Sequence, residues 1–478
     1  MPSPLAVTLS LAALTATPFL TTASPLRNTF NDLNSRSTQP QPIAQPLTVP
    51  LKRRANAHAP HQRRDSATFS RKAKHLKGKY GGWAPNHKKD SESTKDKRQN
   101  SIDMTSYQDS EWYGEIDVGT PASGFSVILD TGSSDLILAE PNCNGCASAT
   151  PGYNPQTSST SSTSQSSFSI TYGSGSGSGS LVKDSISIGN YTQPDQIFAA
   201  CSTLENIVDG EISGILGLGW AQIASSRAVP LVQSLADNGT LPEQVFGFAF
   251  ETHTFTTASA STAPGGTLTI GGVDTSAYSG EINWIDIVQP AGYWQIPLEG
   301  VTVGGSDVGV TDSGAVIDTG TTLIGMPSSA AEAIYAQIPN SQAINLDGES
   351  GYYAIDCDAS VNVTLQFGGQ SYQIDENQFN AGAVDSRGSL CLGAVFALET
   401  GSSTVSTIVG DAFLTGYYNA YRFSPNPAVG LATLGSGGTA NTGSSDSSAT
   451  TSGASSSLVL AKGGAVAALV AVAAALFA

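Results

Sequence analysis

The chain is 478 residues long and 39% hydrophobic, with 51 glycines and a net charge of −17. That length is too great for one core, and the abundance of Gly, Ser and Thr excludes a long-helix architecture in favour of many short strands and turns. Residues 1–98 carry a net +12 and residues 99–478 a net −29, so the basic arm points to an anionic partner within the same chain rather than to nucleic acid.

Leu5 to Leu20 is apolar and ends in small residues at Thr21-Thr22-Ala23, so residues 1–23 read as a secretory signal peptide. Residues 24–98 are rich in Pro, Asn, Lys and Arg, too poor in aliphatic runs for an independent core, and close on the dibasic pair Lys97-Arg98. From Glu111 to Pro121 the pattern alternates and then turns, as a strand does. The apolar run Val127-Ile128-Leu129 then ends in Asp130-Thr131-Gly132-Ser133-Ser134. After Cys143 and Cys146, the Ser/Thr-rich run from Thr157 to Ser167 reads as an exposed loop. Ser169 to Gly177, with Tyr172, Gly173 and Ser174 at its centre, reads as a hairpin with a mobile tip or as a flexible linker. Gly214 to Trp220 is a buried-strand pattern. Ala315-Val316-Ile317-Asp318-Thr319-Gly320-Thr321-Thr322 repeats the Asp130 stretch 188 residues later, and Thr407 to Phe413 repeats the Gly214 stretch.

The end of the chain has its own grammar. A Gly/Ser/Thr stalk covers 435–457, and 458–478 is a short spacer with a terminal apolar tail, Ala465 to Ala478. Small residues, spacer and tail fit a GPI-anchor signal, with Ser452, Gly453, Ala454 and Ser455 as candidate attachment points; a plain transmembrane anchor or an apolar tail is the competing reading. Asn190, Asn238 and Asn362 head glycosylation sequons. Five cysteines allow two disulfides and one remainder. A Cys-x-x-Cys at 143–146 is compatible with a redox or zinc site, but no second Cys or His pair completes a metal site.

An aspartate directly after a buried strand is costly, because burial disfavours its charged form. Two such strands imply two half-domains that each bring one carboxylate to a shared centre. Carboxylates in contact do not both ionise easily, so one keeps a proton and the pair supplies a general acid and a general base.

From about Trp112 to Leu434 these motifs resemble the pepsin-like aspartic proteases. The resemblance implies a mainly β, bilobal fold of two pseudo-twofold-related β lobes, 99–300 and 301–434, with few short helices. It implies an endopeptidase acting on polypeptides, with Asp130 and Asp318 holding a water that attacks the peptide carbonyl, and with no cofactor or metal. Gly132 and Gly320 would allow close approach to the opposite carboxylate. Thr131 and Thr319 would cross-link the two loops, Ser133 and Thr321 would orient the carboxylates, and Tyr172, Gly173 and Ser174 would form the substrate flap. Asp130 lies 32 residues after Arg98, the spacing of a mature N-terminus, so 24–98 reads as a propeptide. Its Arg71–Lys77 stretch would press on the anionic cleft as an intramolecular inhibitor until acid weakens the pairing. The resemblance pairs Cys357 with Cys391 and Cys143 with Cys146; Cys201 is left over, and its pairing with Cys143 or Cys146 stays open. Two positions depart from the family: Ile137 stands where a tryptophan usually steadies the flap tyrosine, and Arg422 where an acidic residue is common. The expected protein is a monomeric, cell-surface, GPI-anchored enzyme similar to yapsins, against two alternatives: a catalytically silent binding protein and a wall glycoprotein.

Overall fold

The computed structural model describes residues 46–54, 79–80, 112–172, 175–208, 210–251, 262–346, 348–385, 387–400 and 405–435. All of them fall in one compact unit of the chain, Gln45–Ala478. The proposed signal peptide, the 71–77 stretch, Lys97-Arg98, Gly173, Ser174 and the chain beyond 435 lie outside the described residues.

The short apolar runs fold as strands. Up to Asp286 the described strands are β1 (Leu47–Arg54), β2 (Trp112–Val118), β3 (Ser123–Asp130), β4 (Leu136–Asn144), β5 (Ser162–Tyr172), β6 (Gly175–Ile188), β7 (Tyr191–Glu205), β8 (Gly214–Gly217), β9 (Val245–Phe250), β10 (Thr262–Ile270) and β11 (Tyr278–Asp286). They join Tyr417–Arg422 and Ala428–Leu434 in one 13-stranded sheet, in the order β11, Ala428–Leu434, Tyr417–Arg422, β9, β10, β1, β2, β3, β8, β4, β7, β6, β5. The strands after Asp286 otherwise form a 5-stranded and two 4-stranded sheets. Helices are short; in Ser328–Tyr335 the apolar positions Ala330, Ala331, Ile334 and Tyr335 fall on one buried stripe. The architecture is therefore mostly β with few short helices, as the sequence predicts.

The repeat in the sequence is a repeat in topology. β3 runs parallel to β8, with Asp130 opposite Gly217, and β8 lies antiparallel to β4. In the second half Asp312–Ile317 runs parallel to Thr407–Val409, which lies antiparallel to Ile324–Met326. Each aspartate thus leaves a strand buried in the middle of its sheet, where the loop that carries it is held from both sides.

The core between the halves is aromatic. Phe246 and Tyr421 stack at 4.9 Å, Trp294 meets Tyr421 edge-on at 5.3 Å, and Trp220 lies 4.9 Å from Trp294. Burying each such ring contributes roughly 1.5–3 kcal/mol, and the ring geometry adds about 0.5–1.5 kcal/mol per pair.

One local expectation is corrected. The Ser/Thr run is a loop only as far as Ser161; from Ser162 it is the edge strand β5, which pairs with β6. Its register shifts between Thr163 and Ser167, and there Ser164 Oγ donates to the Leu181 carbonyl. Hydroxyls can serve an edge strand because they bond its neighbours' backbone without burying charge. Disulfides join Cys143 to Cys146 and Cys357 to Cys391, and Cys201 is a free, buried thiol. Asn190, Asn238 and Asn362 are all exposed. Among the described residues no helix is long and apolar enough to cross a membrane.

Candidate active site

Asp130 is 2% exposed and Asp318 is fully buried. The loops that carry them are cross-linked by hydrogen bonds in mirror image. Thr131 Oγ1 donates to the Ile317 carbonyl at 2.9 Å and accepts from Thr319 N at 3.0 Å. Thr319 Oγ1 donates to the Leu129 carbonyl at 2.7 Å and accepts from Thr131 N at 3.1 Å. The two glycines let the carboxylates cross over. A Cβ on Gly132 would stand 2.5 Å from the Asp318 carboxylate, and one on Gly320 would collide with Oδ1 of Asp130. Neither position tolerates a side chain.

Each carboxylate is then oriented from its own loop. Gly132 N donates to Asp130 Oδ1 at 2.9 Å and Ser133 Oγ to Oδ2 at 2.5 Å. Gly320 N donates to Asp318 Oδ1 at 2.9 Å, and Thr321 Oγ1 donates to Oδ2. The loops are also backed from behind. Leu218 N donates to the Asp130 carbonyl at 2.8 Å, and the Leu218 carbonyl accepts from the Trp294 indole at 2.9 Å.

Between the carboxylates, where the sequence reading put a water, this form holds an ammonium group. Lys79 Nζ lies 2.7 Å from Asp130 Oδ1 and 3.0 and 3.2 Å from the two oxygens of Asp318. Beside it Tyr80 Oη donates to Asp318 Oδ2 at 2.8 Å, and the Tyr80 ring packs 5.2 Å from that of Tyr293. Among the described residues the basic arm's charged contact with this pair is Lys79, two residues past the Arg71–Lys77 stretch named from sequence, which itself lies outside them. Lys-rich composition locates a charge but not its register, whereas an aromatic directly after the lysine, flanked by Gly78 and Gly81-Gly82, was the available signal.

Electrostatics follow from this contact. Burial is the largest influence on Asp130 and raises its pKa, Lys79 opposes it, the Asp318 charge adds to it, and the result is about 6. Burial also works to raise Asp318, but Lys79 and hydrogen bonds involving Asp130, Thr321 and Tyr80 outweigh it and leave Asp318 well below the usual carboxylate range. Burial alone would lower Lys79, yet the two carboxylates raise it, so it stays charged.

Tyr172 ends β5 and is buried with Ile128, Ile137, Phe168, Cys201 and Ile215 in one apolar cluster. Burial first, then the Asp130 and Asp135 charges, push its hydroxyl well above the ordinary phenol range. Ile137 therefore enters the same cluster as the tyrosine ring, where an indole would have offered a hydrogen bond. At the other departure, the Arg422 guanidinium covers the Trp284 ring at 4.4 Å and its Nε donates to the Asn426 carbonyl at 2.9 Å. A positive charge is stable there because an aromatic face and a carbonyl receive it.

A family model for eukaryotic aspartyl proteases matches residues 111–434. The chain belongs to that family. Major aspartyl peptidase 1 of Cryptococcus neoformans var. grubii is 39% identical to it over 349 residues, covering 70% of this chain and 71% of that protein. The vacuolar aspartic protease of Candida albicans is 35% identical over 335 residues, covering 69% and 76%. Pepsin A of Sus scrofa is 32% identical over 336 residues, covering 69% and 83%. In this aspartic peptidase the matched span begins at Glu111, after the basic arm, and ends with the Ala428–Leu434 strand.

Proposed function

We propose that this pepsin-like aspartic peptidase cleaves polypeptides with Asp130 and Asp318 as its catalytic pair, and that the form seen here is its closed precursor. The observation that carries the first part is the crossed approach of the two carboxylates, each lying where the opposite glycine has no Cβ. With Lys79 withdrawn, the pair binds one water and one proton. The ionised carboxylate takes a proton from the water as it attacks the peptide carbonyl, and the protonated one donates to the carbonyl oxygen. The carboxylate that took the water's proton then gives it to the departing nitrogen, so that the tetrahedral intermediate collapses to an amine and a carboxylic acid as the other carboxylate recovers a proton from the intermediate's hydroxyl. No covalent enzyme intermediate forms. Tyr172, at the end of β5, would close over the bound strand of substrate.

The precursor reading rests on Lys79 and Tyr80. A lysine bonded to both carboxylates, with a phenol on one of them, leaves no room for the attacking water. Substrate access would require this segment to leave, and scission at Lys97-Arg98 would make the release permanent. The apolar N-terminus supports entry to the secretory pathway. The exposed Asn190, Asn238 and Asn362 are open to N-glycosylation there. The stalk and terminal apolar run support attachment to the cell surface through a GPI anchor. The deciding experiment incubates acid-treated protein with a peptide library, with and without pepstatin, beside Asp130→Asn. Pepstatin-sensitive cleavage absent from the variant supports the reading, and cleavage that survives in the variant overturns it.

A further inference from the structure

Three basic residues in a row, Lys52-Arg53-Arg54, close the strand that the basic arm lends to the central sheet. As sequence they mark a target for an endoprotease specific for paired basic residues more strongly than Lys97-Arg98 does, yet the fold holds their backbone on both sides. Lys52 is paired with Pro264 of β10 and with Tyr113 of β2, Arg53 with Ala263 and Trp112, and Arg54 with Thr262. Further back in the strand Val49 is buried, and its Cγ1 lies 3.7 Å from where a Cβ on Gly114 would stand, next to Leu129, the residue before Asp130. A protease draws its substrate into its own cleft as an extended strand and bonds its main chain. A run already paired to β10 and β2 is not available for that. Fraying at Arg54 frees one residue, and recognition of paired basic residues needs several.

We propose that Lys52-Arg53-Arg54 is a second processing site, one that the central sheet keeps shut until the arm lets go of the carboxylates. This rests on the reading of the present form as the closed precursor. Scission at Lys97-Arg98 cuts the arm from the body but leaves it seated at two places, as β1 in the sheet and as Lys79 and Tyr80 on the carboxylates. The two are joined through residues 55–78, so whichever is displaced is returned by the other, and such linkage strengthens binding by about a hundredfold or more. Addition of water across a peptide bond within or just after the basic run, giving a new carboxyl and a new amino end, breaks that link. The run is free only while β1 is out of the sheet, and burial of Val49 alone holds that outward state down by about tenfold to a hundredfold. The second cut is therefore late: it finds only arms that have already opened, and it prevents their return.

The test treats the full-length precursor at pH 7 with an endoprotease specific for paired basic residues and reads initial rates by mass spectrometry. Fragments that end at Arg53 or Arg54 are told apart from cuts at Arg63-Arg64 and Lys97-Arg98, and a control without protease subtracts self-cleavage. A synthetic peptide of residues 46–60 gives the unguarded rate. Because cleavage tracks the open population, scission at the run is expected to be at least about a hundredfold slower in the precursor than in the peptide. Loss of the buried ion pair in Lys79→Met is expected to speed it by at least about tenfold. If Lys79→Met does not fold, hydrogen exchange of the wild-type β1 amides replaces it, with the same lag of about a hundredfold against the peptide expected. Scission or exchange in the precursor at the peptide's rate, a peptide that is not cut, or a folded Lys79→Met cut no faster than wild type would each overturn the inference. The same variant separates this failure from that of the closed-precursor reading. If Lys79→Met neither cleaves a reporter peptide nor opens the run, that reading is wrong and the inference falls with it. A Lys79→Met that cleaves the reporter, beside a wild-type run cut at the peptide's rate, refutes the guarded site alone.

Discussion

Replacing Lys79 with methionine tests the proposed closed precursor at its centre. At an effective dielectric near 20, each contact of about 3 Å between unit charges amounts to about 5 kcal/mol before desolvation. The lysine makes such contacts to both carboxylates and is 3% exposed, so solvent screens little of it. Removing one partner from a buried ion pair costs about 3–5 kcal/mol, or roughly two to three and a half powers of ten in the ratio of closed to open precursor. Uptake of a proton by the carboxylate pair relieves part of that, so the lower figure is expected. The assay is cleavage of a reporter peptide near pH 6.5 by a precursor with Lys97 and Arg98 replaced by alanine, so that processing cannot supply the signal. Wild type is silent and Lys79→Met cleaves. The pH dependence carries a sign that can be worked out. Asp318, held below the ordinary range, stabilises the closed form above the unfolded aspartate value of about 3.9 and loses that contribution as pH falls. Asp130, raised to about 6, acts the opposite way: its contribution is present at low pH and lost as pH rises through about 6. Acid opening is therefore driven by Asp318 and sets in below about pH 4. An opening midpoint near pH 6, or a Lys79→Met precursor as silent as wild type, would refute the argument.

Three further outcomes follow from the packing. Asp184 is fully buried and accepts from Tyr153 Oη at 2.8 Å, Thr160 Oγ1 at 2.6 Å, Ser158 Oγ at 3.1 Å and Ser185 N at 2.8 Å; burial would raise its pKa, but these donors lower it. Asp184→Asn should lose about 1–3 kcal/mol in neutral denaturant melts, and the gap to wild type should close as pH falls below the ordinary aspartate range; a gap that widens in acid would contradict this. The Cys201 thiol is fully buried and pushed up to about 12, by burial and then by the Glu140 and Asp135 charges, so mass spectrometry after iodoacetamide at pH 8 should find it unmodified in folded protein and alkylated after unfolding without reductant. The Cys357–Cys391 bridge closes a separation of 34 residues, and Cys357→Ser with Cys391→Ser should cost about 3–4 kcal/mol through the freed unfolded chain, read as a lower denaturation midpoint with unchanged cysteine chemistry at Cys143–Cys146.

The carboxylate pair was legible because it is written twice in the same apolar frame, and a buried strand ending in an acid has few other uses. The fold class followed from the same repeat together with the Gly, Ser and Thr content. Other features depend on tertiary register, which composition does not carry. Leu47–Arg54 lies in a segment too polar for a core of its own, yet it enters the central sheet between β10 and β2, borrowing the body's hydrogen bonds. Its alternation of Leu47, Val49 and Leu51 was the visible trace, interrupted by Pro50. The role of Ile137 was also not readable, because a lost hydrogen bond says nothing about what the ring beside it will pack against; here that is the cluster containing Cys201 and Ile215.

The choice of lysine at position 79 has a geometric reason that makes arginine a poor substitute. An ammonium is a compact charge with three donors, and Lys79 directs it at three carboxylate oxygens, at 2.7, 3.0 and 3.2 Å, belonging to two different residues. A guanidinium is a planar fork suited to two oxygens of a single carboxylate. Bound that way it would satisfy Asp318 or Asp130 but not both, and its extra width would press on Tyr80, whose hydroxyl already lies against Gly132. Lys79→Arg therefore keeps the charge yet should not keep the closure. In the same reporter assay near pH 6.5 the arginine precursor is expected to cleave well above wild type though less than Lys79→Met, and to be displaced more readily by pepstatin. An arginine precursor as silent as the native one, with an unchanged acid midpoint, would show that net charge alone holds the cleft shut and that the three-point geometry is incidental.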